Sequence, residues 1–147
     1  MSSLFAVVNA PFIPAYAASK RAVTAYSDIL RMQHGGRIGV TTVYPGYMDT
    51  PIHDKALKQG LSVSRVVSFK MGNRTLLTLE EPLDVAARSM VRICTGRSRR
   101  DCTLTFFGWL SFVGGRHIPG FVDAFIRWRI GQLARARILN VTLAPKT

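Results

Sequence analysis

The chain has 147 residues, 48% of them apolar, and its 20 Lys and Arg against 8 Asp and Glu give a formal net charge of +12. The apolar share supports a packed core and excludes a disordered chain, while two cysteines outside any C-x-x-C pair and three scattered histidines exclude a zinc site or a thiol nucleophile. So large a basic excess points to contact with an anionic surface, whether cofactor phosphates, acidic lipid or nucleic acid.

In chain order, Ser3 stands in Met1-Ser2-Ser3-Leu4, where a frayed terminus is the ordinary expectation. Pro14 to about Gln33 reads as an amphipathic helix, with Pro14 suited to a first turn and His34-Gly35-Gly36 to a stop. On that helix Tyr16 and Lys20, four residues apart, share a face. A phenol beside an ammonium can do acid-base chemistry, because the positive charge favours the ionised phenol; a half-buried face with a snorkelling lysine fits the same spacing. Ile38 to Tyr44 is rich in β-branched residues and reads as a buried strand, closed by Pro45-Gly46.

Thr50 suits the cap of a short helix reaching Lys58, and Gln59 to Arg74 reads as a polar loop. Thr78-Leu-Glu-Glu81 matches a capping box and opens a helix running to about Thr95, closed by Gly96. Thr103 to Phe107 is the second expected strand, and Gly114-Gly115 lies between apolar segments. Beyond it, Val122, Ile126, Ile130 and Leu133 fall at helical spacing beside Phe121, Phe125 and Trp128, with Arg116, Arg127, Arg129, Arg135 and Arg137 interspersed. Such a basic amphipathic helix can lie on an anionic membrane, cover a substrate mouth or make a subunit contact. Arg116, His117, Pro119 and Asp123 interrupt the apolar run too early for a spanning helix.

Ser3, Tyr16-x-x-x-Lys20, and a strand ending in Pro45-Gly46 with Thr50 four residues on share one order and spacing. Together they resemble the short-chain dehydrogenase/reductase superfamily, from residue 2 to about residue 107. The resemblance implies an α/β fold: the C-terminal half of a Rossmann-like, doubly wound parallel sheet, with C-terminal helices. Residues 1–107 would be the C-terminal part of that catalytic domain and 108–147 a basic amphipathic helical tail.

The resemblance also implies roles. Ser3 would hydrogen-bond the substrate oxygen, Tyr16 would exchange the proton with it, and Lys20 would tune Tyr16 and hold the nicotinamide ribose, making Ser3, Tyr16 and Lys20 the catalytic set. Pro45 and Gly46 would let backbone approach the cofactor, and Thr50 would meet its carboxamide or pyrophosphate. Met48 occupies a position that usually carries a small branched apolar residue whose backbone meets the carboxamide. The implied cofactor is NAD(P), with the choice between NAD and NADP open. The implied reaction interconverts an alcohol with a ketone or aldehyde, the substrate being a small apolar molecule.

No glycine-rich strand-turn-helix phosphate loop occurs in the sequence, and the family's Asn-Asn-Ala-Gly strand end is missing. The sequence therefore reads as the C-terminal portion of a longer reductase. A second reading follows: a non-catalytic fragment that keeps the site residues and acts by associating with a partner or with a membrane through its tail. Nucleic acid is not expected, because the aromatics group with apolar neighbours rather than alternating with basic residues. Reduced thiols and the lack of a basic start before an apolar leader give a cytoplasmic protein as the expectation, peripheral to a membrane if the tail docks there; the resemblance further implies a homo-oligomer through the helix following Tyr16.

Overall fold

The structure, a computed structural model, describes residues 1–11, 13–48, 68–71, 74–78 and 80–135, of which 68–71 and 74–78 by backbone alone. In chain order these form a 3-10 turn at Leu4–Ala6, α1 (Pro14–His34), β1 (Thr42–Tyr44), β2 (Ser68–Met71), β3 (Arg74–Thr78), α2 (Leu83–Thr95), β4 (Asp101–Thr103), α3 (Phe106–His117) and α4 (Pro119–Arg135). The class is α/β, with a small parallel two-stranded sheet and four helices among the described residues.

β1 and β4 pair in parallel, with Thr42 opposite Asp101 and Tyr44 opposite Thr103. On the other side of β1 the Ser2 N–H donates to the Val43 carbonyl at 2.8 Å and the Leu4 N–H to the Pro45 carbonyl at 2.9 Å. Donors and acceptors both advance by two residues in the same direction, so the N-terminal segment runs parallel to β1 and extends the layer.

Successive side chains of a strand point to opposite faces. Val43 packs with Ala86 and Leu104, joined by Met90 and Ile93, so α2 lies on that face through residues one helical turn apart. On the other face Tyr44 meets Phe112 of α3 with ring centroids 4.7 Å apart. Arg31 of α1 also works on this side: its guanidinium donates to the Val40 carbonyl at 2.9 Å, the Arg100 carbonyl at 2.6 Å and the Thr42 hydroxyl, while pairing with Asp28. One half-buried cation thus holds the end of α1 to the entrances of both parallel strands.

α1 matches the sequence expectation within one residue. Proline begins it, and Gly36, at φ 86°, takes the left-handed conformation that turns the chain away after Gly35. Both strand expectations shift. The N–H groups of Arg37 and Ile38 bond back to the His34 carbonyl, which delays β1 to Thr42. Thr105 accepts the Gly108 N–H at 3.0 Å, and this cap turns Phe106 and Phe107 into the first turn of α3, so β4 ends at Thr103.

Two further expectations are corrected. α2 starts at Leu83, after Pro82, not within Thr78–Glu81. The residue before a proline is pushed out of the helical region, so Glu81 cannot sit in a first helical turn. The polar loop expected up to Arg74 instead includes the start of an antiparallel hairpin, β2 with β3. The expected helix from Thr50 to Lys58 lies outside the described residues.

The tail forms a helix, α4, whose Ile130 and Leu133 are buried with Ile126 packed against them. It packs on α3, and α3 in turn approaches the segment after the 3-10 turn. At Gly115 an added Cβ would stand 2.8 Å from the Val7 carbonyl oxygen. No helix among the described residues is long and apolar enough to cross a membrane.

Candidate functional site

Three stretches meet near the C-terminal end of β1: the segment from Ser2 to Pro11, the first turns of α1, and Pro45-Gly46. Ser2 ties the first two together, its hydroxyl donating to the Lys20 carbonyl at 2.9 Å and lying 3.0 Å from the Thr24 hydroxyl. Arg21 reaches back from α1 to the Ala6 carbonyl at 3.0 Å and the Asn9 side chain at 2.5 Å. Asn9 donates to both carboxylate oxygens of Asp123 at 3.1 Å, so α4 joins the same assembly.

Ser3 is buried, and its Oγ accepts the Phe5 N–H at 3.3 Å, capping the 3-10 turn. That bond uses the oxygen as acceptor and leaves the hydroxyl hydrogen uncommitted among the described residues. The Phe5 ring meets the Tyr16 ring edge-on, centroids 6.2 Å apart at 76°. Lys20 extends along the same face of α1, its Nζ 5.5 Å from the centre of the Tyr16 ring. Tyr16 and Lys20 are therefore in contact, and both are half-buried. Ser3 reaches Tyr16 through Phe5; among the described residues no hydrogen bond joins its side chain to either.

Pro45 is buried, with its carbonyl committed to Leu4. The Gly46 N–H donates to Glu81 Oε2 at 3.0 Å, and a Cβ at Gly46 would come within 2.7 Å of Glu81 Oε1. A glycine is needed here so that the Glu81 carboxylate can close on the backbone. Met48 turns its side chain into the Val43 cluster. Thr50 lies outside the described residues.

Glu81 was not singled out by sequence reasoning beyond its place in the capping box. It is 3% exposed, and besides Gly46 it accepts the Thr105 hydroxyl at 2.7 Å, while its own N–H donates to the Tyr47 carbonyl at 2.7 Å. A buried carboxylate thus braces Pro45-Gly46 against the start of α3. No local signal reveals this, because its partners lie 35 and 24 residues away in sequence.

Beside these residues is an apolar cavity of about 500 Å³, walled by Leu4, Phe5 and Pro11 on one side and by Phe107, Ile118 and Phe121 of α3, α4 and their junction on the other. That volume lies within the range of small-molecule sites, and such sites are typically apolar with a few polar groups to fix orientation. Phe5, in its wall, is the residue whose ring touches Tyr16.

The first 60 residues match the family model described as short chain dehydrogenase. The chain is similar to the zebrafish (Danio rerio) protein "Dehydrogenase/reductase SDR family member 7B", 30% identical over 109 residues, which cover 74% of this chain and 33% of the relative. The chain thus spans about a third of the length of that curated relative. No solved structure gives a significant match.

Proposed function

We propose, from the premise that this chain belongs to the short-chain dehydrogenase/reductase superfamily, that it carries the proton-transfer half of an NAD(P)-dependent oxidoreductase interconverting an alcohol with a ketone or aldehyde. The observation that supports this best is the contact of Tyr16 with Lys20 on one face of α1, linked through Phe5, a residue of the cavity wall, to the buried Ser3 hydroxyl that caps the 3-10 turn. In a complete protein these elements would belong to a doubly wound parallel sheet, of which β1, β4 and the segment paired to β1 are a part.

The donor set fits the nicotinamide-ribose end of the cofactor: a phenol and an ammonium on one helix face, next to a strand end. Lys20 would hold the ribose hydroxyls, and the backbone from Pro45 through Met48 would face the nicotinamide side. Once bound, NAD(P) supplies or takes the hydride. The chain's own residues do the rest. The Ser3 hydroxyl donates to the substrate oxygen and fixes its position, while its Oγ stays held by the Phe5 N–H. Tyr16 gives its phenolic proton to that oxygen in reduction and takes it back in oxidation. The cavity takes the apolar body of the substrate and keeps water from the reacting carbon.

Binding of NADH and NADPH to the purified chain, read by their fluorescence, tests this directly. Saturable binding weakened at least tenfold by Lys20→Met is expected. No binding of either nucleotide ends the claim for this polypeptide.

One observation favours the second reading, a non-catalytic fragment working by association. α1 has no buried residue, and Tyr26, Ile29 and Met32 lie exposed along it. A chain that dimerises or binds a partner through that face without binding nucleotide would fit the fragment reading instead.

A further inference from the structure

Away from the cavity, a second hollow lies between the end of α2, the turn into β4 and the first turns of α3. Arg92, Arg97 and Arg99 line it together with Asp101, Cys102 and Trp109. The three arginines are exposed, and none forms an ion pair among the described residues. The one acid present is already engaged: Asp101 accepts the Tyr44 hydroxyl at 3.1 Å and pairs with Arg100 at 3.5 Å. Arg100 in turn pairs with Asp28 and belongs to that separate network.

Trp109 forms the rim and continues into an aromatic ridge. Phe106 stacks on Trp109 with centroids 5.9 Å apart at 28°, and Phe107 meets Phe106 edge-on at 6.0 Å. Phe106, Trp109 and Leu110 are 69%, 50% and 52% exposed, so a ridge of large apolar side chains stands in solvent beside a positively charged hollow. Grouped large apolar side chains on a surface mark a contact. Tryptophan and phenylalanine at the boundary, with arginine to the side, is the pattern that rests at the headgroup level of a bilayer, where rings enter the acyl boundary and cations meet lipid phosphates. A nucleic-acid platform would need aromatic and basic residues interleaved along a strand path, and here the rings stack on one another instead.

We propose that this surface docks the protein on an anionic phospholipid membrane, with Arg92, Arg97 and Arg99 at the lipid headgroups and Phe106, Trp109 and Leu110 inserted at the interface. The net charge of +12 acts in the same direction by drawing the whole chain to an acidic leaflet. The contact uses none of Ser3, Tyr16 or Lys20, while Leu110 and the neighbouring Phe107 also border the apolar cavity on the other side of the ridge.

The chain carries its own reporter. Its two tryptophans are Trp109 and Trp128, so Trp128→Phe leaves Trp109 as the sole emitter. This variant is titrated with phosphatidylcholine vesicles with and without phosphatidylserine, following emission, quenching by bromine-labelled lipid and co-sedimentation. Trp109 emission is expected to shift to the blue and be quenched with the serine lipid present, and to stay unmoved with pure phosphatidylcholine. Changing Arg92, Arg97 and Arg99 together to Gln should weaken partitioning by about 100-fold, from the usual contribution of each surface cation, and changing them to Lys should keep most of it. Circular dichroism establishes that each variant is folded.

An unmoved Trp109 spectrum with anionic vesicles overturns the proposal, as does a Gln variant that binds as well as its parent. A shift caused by inorganic phosphate alone would assign the hollow to a soluble anion and overturn it too. A shift that grows with protein concentration without lipid would place a second copy of the chain on the ridge, and a shift produced by a single-stranded oligonucleotide but not by vesicles would place a nucleic acid there; both overturn the membrane contact.

Discussion

Replacing Glu81 by Ala is expected to destabilise the fold by about 3–6 kcal/mol, because the carboxylate accepts two hydrogen bonds in a nearly water-free position, and bonds to charged groups contribute about 1.5–3 kcal/mol each. The loss leaves the Gly46 N–H and the Thr105 hydroxyl without their acceptor and opens space between the Pro45-Gly46 turn and α3. Glu81→Gln keeps the shape and one acceptor oxygen for Gly46, but its amide nitrogen must face Thr105, whose hydroxyl hydrogen then loses its acceptor. That variant should cost less, about 1–3 kcal/mol. Urea unfolding, with an unchanged slope to show that the two end states are preserved, gives both values. A cycle with Thr105→Val separates the pair: Thr105→Val should cost about 1.5–3 kcal/mol less in the Glu81→Ala background than in the parent. A Glu81→Ala cost below about 1 kcal/mol, or additivity within about 0.5 kcal/mol in the cycle, would refute the bracing role.

Gly115→Ala should cost about 1–3 kcal/mol in the same assay, since its Cβ would stand 2.8 Å from the Val7 carbonyl oxygen and 2.9 Å from Val8 Cγ2; an unchanged midpoint would mean that α3 does not press on this segment. Tyr44 supplies a pH test. Burial holds its phenol above the ordinary value of 10.0, reinforced by the nearby Asp101 carboxylate and opposed by a hydrogen bond with Thr24. Above pH 10 the unfolded chain releases this proton before the folded one does, so stability falls as pH rises through the folded value and this contribution is constant below 10. Tyr44→Phe should remove that part of the alkaline slope in unfolding measured against pH, and an identical slope in the two proteins would contradict the assignment.

The elements that depend on neighbouring residues were legible in the sequence. Pro14 and Gly35-Gly36 bound α1, Gly96 closes α2, and the spacing of Ile126, Ile130 and Leu133 gives the apolar face of α4. The strand limits were not, because they depend on events outside the strands: carbonyl capping by His34 before β1, and the Thr105 cap after β4. The β2–β3 hairpin carried a readable signal, Gly72-Asn73 between two β-prone runs, which a polar composition masked. Of the site, Tyr16 and Lys20 were legible because helical spacing alone makes them neighbours. Ser3 needed its register with them, and its burial comes from pairing beside β1, a contact more than 40 residues distant. Glu81 was read as a helix cap because its sequence neighbours fit one, whereas Pro82 forbids that conformation and frees the carboxylate for Gly46 and Thr105.

The account rests most heavily on Tyr16 moving a proton at the substrate oxygen while NAD(P) exchanges a hydride. The most direct measurement is the loss of NADH or NADPH absorbance by the purified chain with a panel of apolar ketones and aldehydes, for the parent and for Tyr16→Phe. The account predicts turnover in the parent and a fall of about 10²–10⁴ in Tyr16→Phe, with nucleotide binding retained. No turnover in the parent, or equal turnover in the two proteins, would contradict it.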